Sequence, residues 1–157
     1  MADAPAIKLR PLEERDVATV AQFECEIAKI SFPDDPITDL DFYARKLRQL
    51  LGDRRSVGFV AEDGQGITGW VHVSRRQNFT TKEAYADIHS VYVVERARGT
   101  GLSGAIMDAV IERCHREGLD RIVIRTRATN EPMKALLARC GFAATQIYYE
   151  LDTGSPG

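Results

Sequence analysis

The stretch from His89 to Gly104 constrains the fold more than any other part of the chain. It contains Val91-Tyr92-Val93-Val94, and β-branched and aromatic residues favour an extended, pleated backbone. Gly99 and Gly101 follow, and glycine permits both a sharp turn and the close approach of a ligand to the backbone. Apolar residues then recur at helical spacing. The sequence therefore predicts a strand, a glycine loop and a helix in immediate succession.

The junction between this loop and the helix has the chemistry of a phosphate site. A helix N-terminus offers unpaired backbone N–H groups and the positive end of the helix dipole. Arg96 and Arg98 add positive charge at the same place. We therefore expect the loop to hold a pyrophosphate.

Two glycine patterns overlap in the loop. Gly99-Thr100-Gly101-Leu102-Ser103-Gly104 matches the dinucleotide fingerprint G-x-G-x-x-G, and Arg127 is a candidate for a 2′-phosphate. This reading makes an NAD(P)-binding oxidoreductase an alternative function. Two observations oppose it: the preceding strand ends a run of hairpins, and only about fifty residues remain for a second nucleotide-binding half. The second pattern is Arg-x-x-Gly-x-Gly, which begins at Arg96.

The rest of the chain alternates between strand and helix patterns in the order β-α-α-β-β-β-α-β-α-β. Three antiparallel strands in the middle and a βαβ unit near the end indicate a mixed sheet covered by helices, an α/β (α+β) fold. Strands are predicted over residues 6–10, 57–62, 67–75, 83–94, 121–126 and 143–151, and helices over 12–30, 39–51, 102–118 and 130–140.

Length and composition limit the alternatives. The chain has 157 residues, which fits a single domain over residues 1–152 and a disordered tail over 153–157. A net charge of −2 gives no general attraction to nucleic acid or to an anionic membrane, and neither is an expected partner. Three cysteines without metal-ligand spacing predict free thiols, no metal site and a cytoplasmic protein.

The combined motifs resemble the GCN5-related N-acetyltransferase family. The resemblance covers nearly the whole chain and is strongest from Asp87 to Phe142. It implies a mostly antiparallel central sheet of six to seven strands flanked by four helices. It also implies acetyl-coenzyme A (acetyl-CoA) as co-substrate, and transfer of the acetyl group to a primary amine of a small molecule or peptide by direct attack in a ternary complex. The implied cofactor-binding residues are Val91, Tyr92, Val93, Arg96, Arg98, Gly99, Thr100, Gly101, Leu102, Ser103 and Asn130.

The same resemblance suggests where catalytic residues lie. Asp87 and His89 precede Val91 on one face of its strand by the period of two, and family bases often lie on this strand. Many relatives carry a helix tyrosine at the position of Leu137, and leucine cannot donate a proton. Tyr148, Tyr149 or solvent can take its place, and Tyr148 is the candidate catalytic residue. The missing tyrosine keeps a second alternative open, a non-catalytic sensor that binds acyl-CoA. Whether the chain acts as a homodimer is also left open.

Overall fold

A mixed sheet of five strands forms the centre of the molecule in the computed structural model, which describes residues 7–154. The spatial order of the strands is their order in the chain, so each strand lies beside its predecessor. The strands are β1 (Leu9–Pro11), β2 (Ser56–Asp63), β3 (Gly66–Gln77), β4 (Ala84–Val93) and β5 (Ile122–Ile124).

Strands β1 to β4 pair antiparallel, whereas β5 runs parallel to β4. A parallel pair needs a long crossover connection, and helix α3 (Leu102–Arg116) provides it. The parallel pairing is short, since only Ala86 to Ile88 of β4 lie opposite β5. The remainder of β4 pairs with β3 alone.

Strand β4 carries one extra residue relative to β3. Val73 lies opposite Ile88, but the preceding residue of β3, His72, lies opposite Ser90. His89 is therefore a bulged residue. Such a bulge shifts the alternation of side chains and backbone groups by one position along the rest of the strand.

Helices cover both faces of the sheet and create two apolar layers. Trp70 is fully buried in the layer of the first two helices, and Ile106 is fully buried in the layer of the last two. Each such side chain contributes about 1.5–3 kcal/mol through removal of its apolar surface from water. The helices are α1 (Val17–Ser31) and α2 (Leu40–Leu51) on one face, and α3 and α4 (Glu131–Arg139) on the other.

Two glycines in the sheet allow close packing of large side chains. A Cβ at Gly58 would lie 2.3 Å from Cη2 of Trp70, and a Cβ at Gly69 would lie 2.5 Å from Cδ1 of Ile106. Both distances are far inside van der Waals contact. Gly69 therefore sets how near α3 can approach β3.

The expected count of six to seven strands is wrong, because the sheet has five. Residues 143–151, predicted as the last strand, have no regular secondary structure and are exposed. A strand needs a neighbour for its backbone N–H and C=O groups, and this segment pairs with none among the described residues. The β-forming side chains alone do not create a strand.

The other element boundaries agree with prediction to within a few residues. The first strand was expected over residues 6–10 and is found at Leu9–Pro11, while Ala6 lies outside the described residues. Of the tail predicted to be disordered, Thr153 and Gly154 have no regular structure, and residues 155–157 lie outside the described part. No helix within residues 7–154 has the length and apolar content of a membrane span.

All three cysteines are free, as predicted. Cys25 and Cys114 are buried and Cys140 is half-buried. Burial raises the pKa of each thiol. Because the thiolate is the reactive form, these cysteines are packing residues and weak nucleophiles.

Candidate functional site

The glycine loop connects β4 to α3 through one turn of 3-10 helix, Glu95–Ala97. Gly99 has φ +76° and Gly101 has φ +84°, in the left-handed region that favours glycine. A Cβ on either residue would meet no protein atom within 4 Å. The backbone conformation, and not lack of space within the chain, therefore requires these two glycines.

The N-terminus of α3 has properties that attract an anion. Gly101 is its N-cap residue and has no side chain, so no side chain caps the helix. The first turn contains no acidic residue, and the N–H groups of Leu102 and Ser103 are among those that a helix leaves without a partner. The Thr100 hydroxyl donates to the Ala97 carbonyl and fixes the turn before the helix. The helix dipole therefore favours a phosphate here.

The two arginines expected at the phosphate have different surroundings. Arg98 Nε donates to the Val93 carbonyl at 3.2 Å, and its guanidinium lies 5.7 Å from the centre of the Tyr92 ring. Arg96 makes two hydrogen bonds with the carboxylate of Asp63, at 2.7 and 3.0 Å. This ion pair lowers the pKa of Asp63 to about 2. Arg98 thus lies against the end of β4, while Arg96 is bound to the β2–β3 turn.

The C-terminal end of β4 has backbone N–H and C=O groups on the edge that faces away from β3. The Val94 N–H donates to Thr68 on the β3 side at 3.0 Å. Because successive residues of a strand direct their N–H and C=O groups to opposite edges, Val93 and Val91 direct theirs toward β5. Within residues 7–154, β5 pairs with β4 only as far as Ile88. Beyond Ile88, this edge of β4 therefore has no strand partner among residues 7–154, and the unpaired edge ends at the glycine loop.

Helix α4 packs on the same face of the sheet as α3. Asn130 is its N-cap, and Oδ1 of Asn130 accepts a hydrogen bond from the Met133 N–H at 3.3 Å. This bond gives Asn130 a structural role in addition to the predicted contact with the cofactor. Leu137 packs against the core, so the position of the expected tyrosine is apolar in structure as well as in sequence.

Polar side chains gather on the α1 side of β3 and β4, next to the bulge. His89 Nε2 is 2.8 Å from Ser74 Oγ, and the His89 ring centre is 4.7 Å from that of His72. Asp87 is buried and forms ion pairs with Arg76 at 2.8 Å and Arg125 at 3.8 Å. The structure thus brings Asp87 and His89 to one face, as predicted, and both already have protein partners.

The two histidines are biased toward the neutral form. Burial, and to a smaller extent the neighbouring His89, lower the pKa of His72 to about 4. Burial also lowers the pKa of His89, although the carboxylate of Asp87 opposes that shift. A neutral imidazole keeps one unprotonated nitrogen. Nε2 of His72 is buried and has no hydrogen-bond partner in the described part of the chain.

Glu24, on α1, is a residue that the sequence analysis missed. Its Oε1 accepts a hydrogen bond from Trp70 Nε1 at 2.6 Å, and the Ser90 hydroxyl also bonds to the carboxylate. Burial raises the pKa of Glu24. Its position in the helix was a signal, because it falls among the buried positions Val17, Val20, Ala21 and Ala28. A charge at a core position of a helix marks either a pairing partner or a functional group.

The structure does not bring Tyr148 to this cluster. The residue lies in the unpaired segment 143–151 and is 83% exposed. It contacts neither Asp87 nor His89 within the single chain. For Tyr148 to act as a proton donor, residues 143–151 would have to lie closer to this cluster than they do in the single chain.

The dinucleotide interpretation of the glycine loop does not fit the geometry. In a dinucleotide fold the third glycine lets the helix pack closely on the sheet. A Cβ at Gly104 would meet nothing within 4 Å, so close packing does not require this glycine. Arg127, the candidate for a 2′-phosphate, donates instead to the Ser31 carbonyl at 3.0 Å, at the end of α1.

Comparison with known proteins identifies the fold. A family model described as the Acetyltransferase (GNAT) family matches residues 21–142. Mycothiol acetyltransferase of Corynebacterium aurimucosum is 29% identical over 63 residues, which are 40% of this chain and 21% of that protein. The match therefore spans only a small part of that relative.

Several solved structures have the same fold over almost their whole length. A ribosomal-protein-alanine N-acetyltransferase from Brucella melitensis has a TM-score of 0.74 at 22% identity, covering 94% of this chain and 99% of that one. An aminoglycoside 6′-N-acetyltransferase from Acinetobacter baumannii has a TM-score of 0.70 at 17% identity, covering 94% and 99%. A predicted acetyltransferase with acetyl-CoA from Clostridium acetobutylicum has a TM-score of 0.70 at 17% identity, covering 93% and 96%.

Proposed function

The chain belongs to the Acetyltransferase (GNAT) family, and we propose that it transfers an acetyl group from acetyl-CoA to a primary amine of a small molecule or peptide. The amine attacks directly in a ternary complex. Its nitrogen forms a bond to the thioester carbonyl carbon, the carbon–sulfur bond breaks, and sulfur leaves as the thiolate of coenzyme A. The amine proton passes to a base of the protein or to water.

The unpaired edge of β4 beyond Ile88 is the observation that carries this proposal. At this edge Val91 and Val93 direct backbone N–H and C=O groups away from β3, and the Val93 carbonyl accepts a hydrogen bond from Arg98 Nε. The amide groups of the pantetheine arm can pair with such an edge as an added strand does. An N–H group near Val93 would then lie beside the thioester oxygen, where it can stabilise the negative charge that develops during attack.

The glycine loop suits the pyrophosphate of the same ligand. The loop follows the end of β4 and leads directly into α3. The N–H groups from Gly99 to Ser103 and the side chain of Arg98 would hold the phosphates, because anions bind at helix N-termini and pair strongly with arginine, whereas the Arg98 N–H already donates to the Glu95 carbonyl. Arg96 would contribute only by leaving its ion pair with Asp63. Asn130, at the facing end of α4, would contact the arm.

His89 and Asp87 are the candidate bases. The lowered pKa keeps the His89 imidazole neutral at neutral pH, so one ring nitrogen is free to receive the amine proton, as a weaker base than an exposed histidine. Asp87 is held by Arg76 and Arg125, and a carboxylate in two ion pairs acts more readily by orienting a water molecule or the amine. We therefore assign proton removal to His89 and a positioning role to Asp87.

The leaving group needs little help from an acid. A thiol has a pKa of about 8.5, so the thiolate of coenzyme A leaves without protonation at neutral pH. The apolar Leu137 is compatible with such a mechanism, and Tyr148 is the candidate donor when the C-terminal segment lies at the site.

Release of free thiol from acetyl-CoA, measured against a panel of amines, tests the proposed function. The panel should include an aminoglycoside and a peptide with an N-terminal alanine, since two structural neighbours are named for these acceptors. We expect amine-dependent thiol release and an acetylated product by mass spectrometry. Calorimetric titration with acetyl-CoA and with NAD(P)H should show binding of acetyl-CoA only.

A sensor that binds acyl-CoA without turnover is the second candidate, and the apolar Leu137 favours it. Tight binding of acetyl-CoA without thiol release for any amine in the panel would support the sensor. Binding of a nicotinamide cofactor in preference to acetyl-CoA would contradict both candidates.

A further inference from the structure

The C-terminal segment, residues 143–151, has the sequence pattern of a strand. Within residues 7–154 no other strand pairs with it. In an extended backbone Thr145, Ile147, Tyr149 and Leu151 would share one face, since side chains alternate. In the single chain Ile147, Tyr148, Tyr149 and Leu151 are between 79% and 86% exposed. Adjacent large apolar side chains at this exposure usually mark an interaction surface.

The outer edge of β5 is a complementary surface. Strand β5 is the last of the sheet, and its edge away from β4 has no partner within residues 7–154. All three of its residues are β-branched and only half-buried, although strands of parallel pairs are usually buried on both faces. An open edge of this kind is a template for another strand.

The position of the C-terminal segment is fixed at its start. Gly141, with φ +89°, ends helix α4. The Phe142 N–H donates to the Leu137 carbonyl at 2.9 Å, and the Phe142 ring packs against the core. From this anchored point the segment leaves the molecule, and all residues from 143 to 154 are exposed. It does not return to β5 of its own chain.

The charges of the two surfaces are also complementary. Arg121 and Arg125 flank β5 and are exposed. The C-terminal segment and the residue after it carry Glu150 and Asp152. Both carboxylates lie at the C-terminal end of the segment, so they can pair with one of the two arginines at one end of β5, and Arg125 also lies 3.8 Å from Asp87.

We propose that two copies of this chain exchange their C-terminal segments, so that residues 143–151 of each copy add as a strand to the β5 edge of the other. Each copy contributes the same two surfaces, its C-terminal segment and its β5 edge, as a two-fold symmetric dimer requires. Each copy would then have a sixth strand, contributed by its partner. The exchange would also place Tyr148 of one copy in the strand next to β5 of the other, on the side away from β4.

Light scattering after size-exclusion chromatography, combined with hydrogen exchange, tests this proposal. We expect the full chain to have twice the monomer mass of 17.5 kDa, with slowly exchanging amides in residues 143–151. The double variant Ile147→Asp, Tyr149→Asp should be monomeric, and its segment should exchange fast. Because both side chains are exposed in the single chain, the variant should stay folded and lose only the contribution of residues 143–151 to the far-UV spectrum. Thr153→Asp, beyond the segment, should remain dimeric.

Three results would overturn the proposal. A monomer with a protected segment would show that the segment pairs with β5 of its own chain. A monomer with an unprotected segment would show that it pairs with nothing. A dimer that persists in the double variant would place the interface elsewhere.

Discussion

The imidazole rings of His72 and His89 lie 4.7 Å apart, one on each of two neighbouring strands. This arrangement keeps either ring from becoming protonated easily, because burial and the neighbouring ring both disfavour charge on His72. The pair therefore couples the stability of the sheet centre to pH.

The first prediction concerns acid sensitivity. The pKa of His72 is about 4 in the folded chain and about 6.5 when unfolded. Between these values the unfolded chain binds more protons, so stability decreases as pH falls. We expect this ring to lower the free energy of unfolding by about 2 kcal/mol at about pH 5 relative to about pH 7.5. Urea unfolding should show a weaker pH dependence in His72→Gln than in wild type. The exposed control His115→Gln should not change it, and equal slopes in His72→Gln and wild type would contradict the prediction.

The second prediction separates the two arginines of the glycine loop. Arg98→Ala should raise the KM for acetyl-CoA about tenfold with little change in kcat, because a charge-assisted hydrogen bond is worth about 1.5–3 kcal/mol. Arg96→Ala should have a smaller effect, since its guanidinium is bound to Asp63. Steady-state kinetics with varied acetyl-CoA gives both values. An effect of Arg96→Ala as large as that of Arg98→Ala would mean that the ion pair opens when cofactor binds.

The third prediction concerns proton removal. His89→Gln should lower kcat roughly 100-fold, as expected for loss of a general base, while the KM for acetyl-CoA stays near that of wild type. The acid limb of the pH–rate profile should disappear with the imidazole. Ser74→Ala keeps the imidazole and removes only its hydrogen bond, so a much smaller loss is expected. If kcat of His89→Gln equals that of wild type, His89 is not the base.

The fourth prediction concerns the half-buried Glu24. Burial raises its pKa, so its ionised form costs stability, and that cost grows as pH rises through the folded pKa. Glu24→Gln removes the charge and keeps an oxygen acceptor for Trp70, so it should raise the melting temperature more at neutral pH than at about pH 4. Glu24→Leu should lower stability by about 1–3 kcal/mol, since the indole N–H loses its acceptor. A lower melting temperature for Glu24→Gln at neutral pH would contradict the argument.

The fifth prediction uses the contact between Gly69 and Ile106. Gly69→Ala should lower the free energy of unfolding by about 1–3 kcal/mol through overpacking. Ile106→Val removes the Cδ1 atom that lies 2.5 Å from the added Cβ, so the double variant should be more stable than the sum of the single effects implies. Gly58→Ala meets the rigid ring of Trp70 and should not be rescued by Ile106→Val. Strict additivity of Gly69→Ala and Ile106→Val would contradict this prediction.

The sequence predicts most of the fold because local signals and burial agree. Strand β4, the glycine loop and α3 lie where the β-branched run, the glycines and the helical spacing place them. The N-cap role of Asn130 also follows from local chemistry. The helix of residues 39–51 begins one residue later, with Asp39 as its N-cap.

The remaining features of the fold and the site depend on contacts between residues that are distant in sequence. The spacing of residue types along the chain does not predict such contacts. Nothing in the sequence distinguishes the ion pair between Arg96 and Asp63 from a free arginine in the loop. The bulge at His89 appears only when the registers of two strands are compared. Residues 143–151 have the pattern of a strand, but pairing requires a neighbour, and that neighbour is not determined by the segment itself.

The sequential order of the strands has a consequence for folding kinetics. Strands β2, β3 and β4 are joined by short turns, and contacts between residues close in sequence form fastest. Strand β5 can dock only after α3 has crossed the sheet, and its three residues add little to hold it. We expect β5 to be the last strand to join and the first to detach in partial unfolding. Its detachment would lengthen the unpaired edge of β4 while the three-stranded meander stays intact.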